Sequence, residues 1–149
     1  MRIHVDADGC PVKDEVYRVA KRCRLEVCVV ANKWIDTPND PLVRMVVVSD
    51  GFDAADDWIA EHAEPDDVVV TADIPLAARA LKKGAYVIDP KGRRFTEGDI
   101  GSALAARALN AHLRESGLIT GGPAPMRDRD RSQFLQALDA AIQEGRRRR

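Results

Sequence analysis

No apolar run among the 149 residues reaches the roughly 20 needed to cross a bilayer as a helix. The opening segment, MRIHVDADGCPVK, places acids where a secretory leader needs an uninterrupted apolar stretch. A cytoplasmic location with no membrane partner is therefore expected. Cysteine is equally sparse: Cys10, Cys23 and Cys28 are odd in number and form no CxxC pair, which excludes a disulfide frame and a zinc knuckle. Cys10 has no histidine patterned beside it, since His4, His62 and His112 are scattered, so a thiolate nucleophile is not expected. The chain also lacks a basic balance. Its net charge is −1, and removing the four positive charges of Arg146 to Arg149 leaves −5 on the remainder. Strong non-specific binding to nucleic acid would need a basic face, so any such contact must come from local patches. The arginine tail reads as a solvated, frayed end, and the sequence leaves the oligomeric state open.

With 45% apolar residues the chain can bury one ordinary core, and a single domain over 1–149 is expected. Short β-branched runs alternate with helical segments: Arg2 to Val5, Val12 to Arg24, Glu26 to Val30, Leu42 to Val48, Asp53 to His62, Val68 to Thr71, Leu76 to Lys83 and Ala85 to Ile88. This alternation predicts βαβ units. Runs such as MVVV and VVV are apolar on both faces, as in a parallel sheet covered by helices. The fold class is α/β, a three-layer sandwich around a mainly parallel sheet. Thr96 with Asp99 and Asp130 with Gln133 resemble helix-capping pairs, predicting two C-terminal helices from about Glu97 to Glu115 and from about Arg131 to Glu144. Between them lies a Gly/Pro-rich stretch, residues 117–129.

In an open parallel sheet, the loops leaving the C-terminal ends of the strands converge on one edge, where ligands bind. Aspartates recur in those loops: Asp6 and Asp8 after the first strand, Asp50, Asp53, Asp56 and Asp57 after the third, Asp73 after the fourth, Asp89 after the fifth. Like charges brought together raise one another's pKa and call for a cation or a shared proton. Carboxylates without a His or Cys set favour Mg²⁺ or Mn²⁺ over Zn²⁺, and such ions suit phosphodiester chemistry. Asp6, Asp8, Asp56 and Asp73 are the candidate catalytic residues, and Asp53 joins them as a metal ligand. Competing structural roles are capping for Asp50, Asp53, Asp57 and Asp73, and turn formation for Asp89, Asp66 and Asp67. Lys13, Arg93, Arg94 and Arg129 are candidate phosphate-binding residues. Trp34 is expected as a half-buried loop anchor, with base stacking as the alternative.

The motifs DADGCPVK from Asp6 to Lys13, DAAD from Asp53 to Asp56, TADIPLA from Thr71 to Ala77, GGPAP from Gly121 and DRSQF from Asp130 to Phe134 resemble the YaiI/YqxD family of uncharacterised bacterial proteins. The resemblance implies a PIN-like nuclease fold that holds Mg²⁺ or Mn²⁺ for RNA cleavage through Asp6, Asp8, Asp53 or Asp56, and Asp73. Two other readings stay open. Asp6-Ala-Asp8-Gly9-Cys10 also looks like the D-x-D-G-T motif of haloacid-dehalogenase phosphatases, with Asp6 as nucleophile, although Cys10 stands in place of Thr. A non-catalytic module binding RNA or a protein partner is the third.

Overall fold

The computed structural model describes residues 1–148 except 50, 52 and 116–124. Its elements run β1 (Arg2–Asp6), α1 (Lys13–Cys23), β2 (Glu26–Ala31), β3 (Val43–Val47), α2 (Ala54–His62), β4 (Val68–Val70), α3 (Ile74–Lys82), β5 (Tyr86–Ile88), β6 (Arg94–Phe95), α4 (Glu97–Glu115) and α5 (Asp128–Arg147). The strands form one sheet in the order β3-β2-β1-β4-β5-β6, parallel throughout except for the β5/β6 pair.

Alternation along the strands divides the interior in two. Ile3, Val5, Val27, Val29, Val68 and Val70 face α1 and α5, whose Val16, Val19, Phe134, Leu138 and Ile142 fill that side. Cys28, Val30, Val69 and Val87 face the opposite layer, built by Ile59 of α2, Leu76 and Ala80 of α3 and Ala103 of α4. Helices on both faces make this a three-layer α/β sandwich, and they explain why the VVV of β4 is apolar without alternation. Each large aliphatic chain so buried stabilises the fold by roughly 1.5–3 kcal/mol. The MVV run of β3 differs from expectation, for β3 is an edge strand and Val47 remains 52% exposed.

Two further differences have local causes. β6 is two residues long, too short to show a period, and was not predicted. Helix α5 begins three residues before the expected Arg131, because the Asp130 carboxylate reaches back to accept from the Arg127 N–H at 3.0 Å. It also runs past Glu144. Gly145 packs against the Met1 side chain, Arg146 donates to the Cys23 carbonyl, and Arg148 pairs with Asp66 and lies over the Tyr86 ring. The side chains of Arg146 and Arg148 are thus engaged with the fold rather than frayed. The Thr96/Asp99 pair caps α4 reciprocally, as expected. Among the described residues no helix is long and apolar enough to cross a membrane.

Candidate active site

The chain reverses its direction of travel across the sheet between β1 and β4, which are neighbours although four elements of sequence separate them. A reversal of this kind leaves a crevice at the C-terminal ends of the two strands, because the connections leaving them diverge to opposite faces. Asp6 ends β1 and Thr71 follows β4, so both stand at that crevice. The Thr71 hydroxyl donates to Asp6 Oδ2 at 2.8 Å and accepts from the Asp73 N–H at 3.0 Å. Because the Asp73 amide can only donate, the hydroxyl proton is directed to Asp6. The relay fixes one oxygen of Asp6 across the two central strands.

The turn after β1 folds tightly. Gly9 adopts φ 78°, a left-handed conformation that glycine accepts without steric penalty, and the Cys10 N–H bonds to the Ala7 carbonyl at 3.2 Å. Lys13 donates to the Cys10 carbonyl at 3.0 Å and to the Ala7 carbonyl at 3.5 Å, so its ammonium braces the loop that carries Asp8. Asp8 Oδ2 accepts from the backbone N–H of Asn32 at 3.1 Å, which ties this loop to the end of β2.

Asp73 precedes α3 and accepts the Leu76 N–H at 2.9 Å through Oδ1, a capping bond. Asp53 holds the equivalent place before α2 without making one. Its φ is 63°, uncommon for a residue with a side chain, and its carboxylate makes no capping bond to the helix backbone. Capping therefore does not explain Asp53. One turn on, Asp56 has its pKa pushed up to about 7 by burial, then by the charges of Asp73, Asp6 and Asp53. Asp6 is raised as well, by burial first and by Asp73 and Asp8, against the lowering pull of Thr71. Asp6, Asp8, Asp53, Asp56 and Asp73 thus share one edge and one electrostatic field. Asp6 and Asp8 stand between two adjoining clefts, one of about 340 Å³ completed by Cys10, Thr71, Asp73 and Pro90, the other of about 160 Å³ completed by Asn32, Ser49, Asp53 and Asp56. Among the described residues no group of three or more His, Cys, Asp or Glu side chains is placed to hold a metal ion.

Other candidates have different roles. Asp89 accepts from the N–H groups of Lys91 and Arg93 at 2.9 and 2.8 Å, a turn former. Asp57 pairs with Arg79 at 2.7 Å instead of capping its helix, and Asp50 lies outside the described residues. Arg94 is engaged by Glu144 at 2.6 Å and stacks over Tyr86, so its guanidinium belongs to the β5/β6/α5 packing and not to a phosphate site. Arg93 lies over Phe95, and Arg129 is exposed beside the start of α5. Trp34 is 67% exposed, contrary to its expected role as an anchor. Cys10 is a packed thiol whose pKa is raised by burial.

Two functional details escaped sequence reasoning. Thr71 was noted only as part of its motif; its spacing of two from Asp73 is the pattern of a hydroxyl bonded to a nearby backbone N–H, but its grip on Asp6 spans 65 positions. At the opposite edge, Asp67 is no simple turn residue. It is buried, and accepts from His4 Nε2 at 3.0 Å and from the backbone N–H groups of Arg2 and Glu64 at 2.9 and 3.0 Å. Burial opposes its charge, yet these bonds prevail and hold its pKa below the usual carboxylate value.

The sequence model of the uncharacterised bacterial YaiI/YqxD family matches residues 4–144. A UPF0178 protein of Bradyrhizobium diazoefficiens is 57% identical over 148 residues, 99% of this chain and 89% of that one. Those of Rhodopseudomonas palustris (strain ATCC BAA-98 / CGA009) and Nitrobacter winogradskyi are 57% and 56% identical, over 99% of this chain and 94% of theirs. No solved structure matches the chain.

Proposed function

Since the chain belongs to the YaiI/YqxD family, whose members carry no assigned activity in their names, its chemistry must be argued from its own carboxylates, and we propose that it is a metal-dependent phosphodiesterase acting on RNA. The observation that carries the reading is the gathering of Asp6, Asp56 and Asp73 at the β1/β4 crevice, where burial first and then mutual repulsion push Asp56 up to about 7. A fold keeps such a destabilising cluster where function requires it.

The chemistry of the donors, though not an enclosing geometry, is that of a hard divalent ion. All five candidate ligands are carboxylates, Asp53 is held in a left-handed conformation with no capping bond, and Asp73 uses Oδ1 alone in its cap. An open arrangement of this kind suits Mg²⁺ or Mn²⁺, since Mg²⁺ retains several waters and takes only one or two carboxylates directly. Bound there, the ion would neutralise phosphoryl charge and lower the pKa of a water. The protein's own part is positional and protonic. Thr71 orients Asp6, Asn32 orients Asp8, and the α2 and α3 N-termini add positive potential at the crevice. Asp56, half protonated near pH 7, can take or give a proton at its carboxylate oxygens in that pH range. Asp8 borders both clefts and stands where an incoming phosphate would pass. Arg93 and Arg129 remain the candidate phosphate contacts.

The test is Mn²⁺ titration by calorimetry, followed by incubation with single-stranded RNA, on the wild type and Asp73→Asn. Loss of a metal ligand should lower both affinity and cleavage at least about tenfold to a hundredfold, comparable to or beyond what losing an outer-shell partner does. An unchanged rate in Asp73→Asn sinks the assignment. A beryllofluoride adduct on Asp6, which mimics an aspartyl-phosphate, would point instead to phosphatase chemistry.

A further inference from the structure

Trp34 sits in the loop after β2, two residues beyond the Asn32 whose N–H holds Asp8. It is the most exposed large apolar side chain among the described residues. A loop tryptophan that anchors its segment is ordinarily half-buried, but here that role is filled by others. Ile35 packs against the core on the α1 side, and the far end of the loop is closed by Asp40, which accepts from the Leu42 N–H at 2.9 Å, with the Val43 N–H bonded to its carbonyl at 3.0 Å. The fold leaves the indole unused. Its neighbours Asn32 and Lys33 are exposed as well, so a cation and an aromatic face follow directly in the chain on Asn32, which lines the cleft with Asp8, Asp53 and Asp56.

We propose that Trp34 is the base-stacking residue by which this edge holds an unpaired strand of RNA, with Lys33 on the adjoining phosphate; the inference rests on the phosphodiesterase reading. An aromatic ring binds any exposed base face, whereas in a duplex those faces are covered by neighbouring pairs, so the arrangement selects single strands without selecting sequence. Two residues of extended chain reach at most about 7 Å, so a base on Trp34 lies within a nucleotide or so of the loop held by Asn32. With a net charge of −1, overall electrostatics would contribute little to holding a strand, and a local aromatic contact would add affinity.

The experiment titrates a 12-nucleotide oligoadenylate, single-stranded or annealed to its complement, into Trp58→Phe protein in Ca²⁺, so that Trp34 alone reports by fluorescence. Trp34→Ala and Trp34→Phe are compared by anisotropy with a labelled strand, after thermal melts confirm that both fold. Quenching by the single strand, an affinity loss of at least about fivefold in Trp34→Ala, near-retention in Trp34→Phe and no dependence of duplex binding on Trp34 are expected. No quenching, equal affinity in Trp34→Ala, or no binding by the parent overturns the inference. Hydrolysis of bis(4-nitrophenyl) phosphate by the wild type in Mn²⁺ keeps the two ideas apart, since this ester has no strand to stack. Turnover of the ester with a negative stacking result leaves the carboxylate reading standing without Trp34; stacking without turnover removes the hydrolysis and leaves a binding protein.

Discussion

At the scale of the residue, Asp56 carries the tension of the site. Its folded pKa lies at about 7, above the ordinary value near 3.9 of an unfolded chain, so between those values the folded form holds a proton that the unfolded form has released. Stability contributed by that proton is present at low pH and lost as pH rises towards 7; above 7 the folded protein bears the full repulsion. Asp56→Asn should therefore raise the melting temperature at pH 8 and leave it little changed at pH 4, while abolishing cleavage. A variant that melts lower than wild type at pH 8 would show that the carboxylate is not repelled there. Asp67 has the opposite sign, since its depressed pKa belongs to an acid bonded to His4 and to the backbone of Arg2 and Glu64. In sequence the two are alike, each half of an Asp-Asp pair. What distinguishes them is which end of a strand they flank and what lies across from them, and only the first of these can be read along the chain.

At the scale of the element, the most constrained contact is that of the β5/β6 turn with α5. Gly92 has φ 90°, and a Cβ built there would come within 2.6–2.8 Å of the Gln133 and Phe134 backbone. Gly92→Ala should destabilise the protein by at least about 2 kcal/mol, combining left-handed strain with an overlap that backbone atoms cannot relieve by rotating. Chemical denaturation measures this directly, and a loss under about 0.5 kcal/mol would mean that α5 can shift away. The elements that sequence revealed well are those marked by apolar runs or a helical period: β1 to β5 and the helices α1 to α4 were found within two residues of their bounds. Those it missed or misjudged depend on distant partners. β6 exists because Ile88 and Arg94 pair, α5 is extended by contacts with Cys23 and Asp66, and β3 is exposed because nothing pairs beyond it. Trp34 belongs with them, since its exposure follows from Ile35 having taken the anchoring position.

At the scale of the whole molecule, the strand order sets Asp6 and Asp73 side by side while the helices after β1 and β4 pack on opposite faces, so two halves of the chain meet at the acids. An ion that binds only the folded form should couple to the stability of the entire fold. At a hundred times its dissociation constant it adds about 2.7 kcal/mol, or roughly 5–10 °C for a chain of this size. Mn²⁺ at pH 8 should raise the melting temperature by that order in the wild type and leave Asp6→Asn/Asp73→Asn unmoved; an equal rise in both would place the ion elsewhere. The closure of the sheet by α5 bears on how the protein is made. Phe134, Leu138 and Ile142 complete the layer begun by Ile3, Val5 and Val16, so the first strand to leave the ribosome waits for the last helix. At about 5–20 residues per second, the interval is on the order of ten seconds. For that time the nascent chain presents a bare valine-rich surface, and its fate depends less on its final stability than on who meets it first: its own late-arriving helix, a chaperone, or a neighbouring polypeptide on the same message.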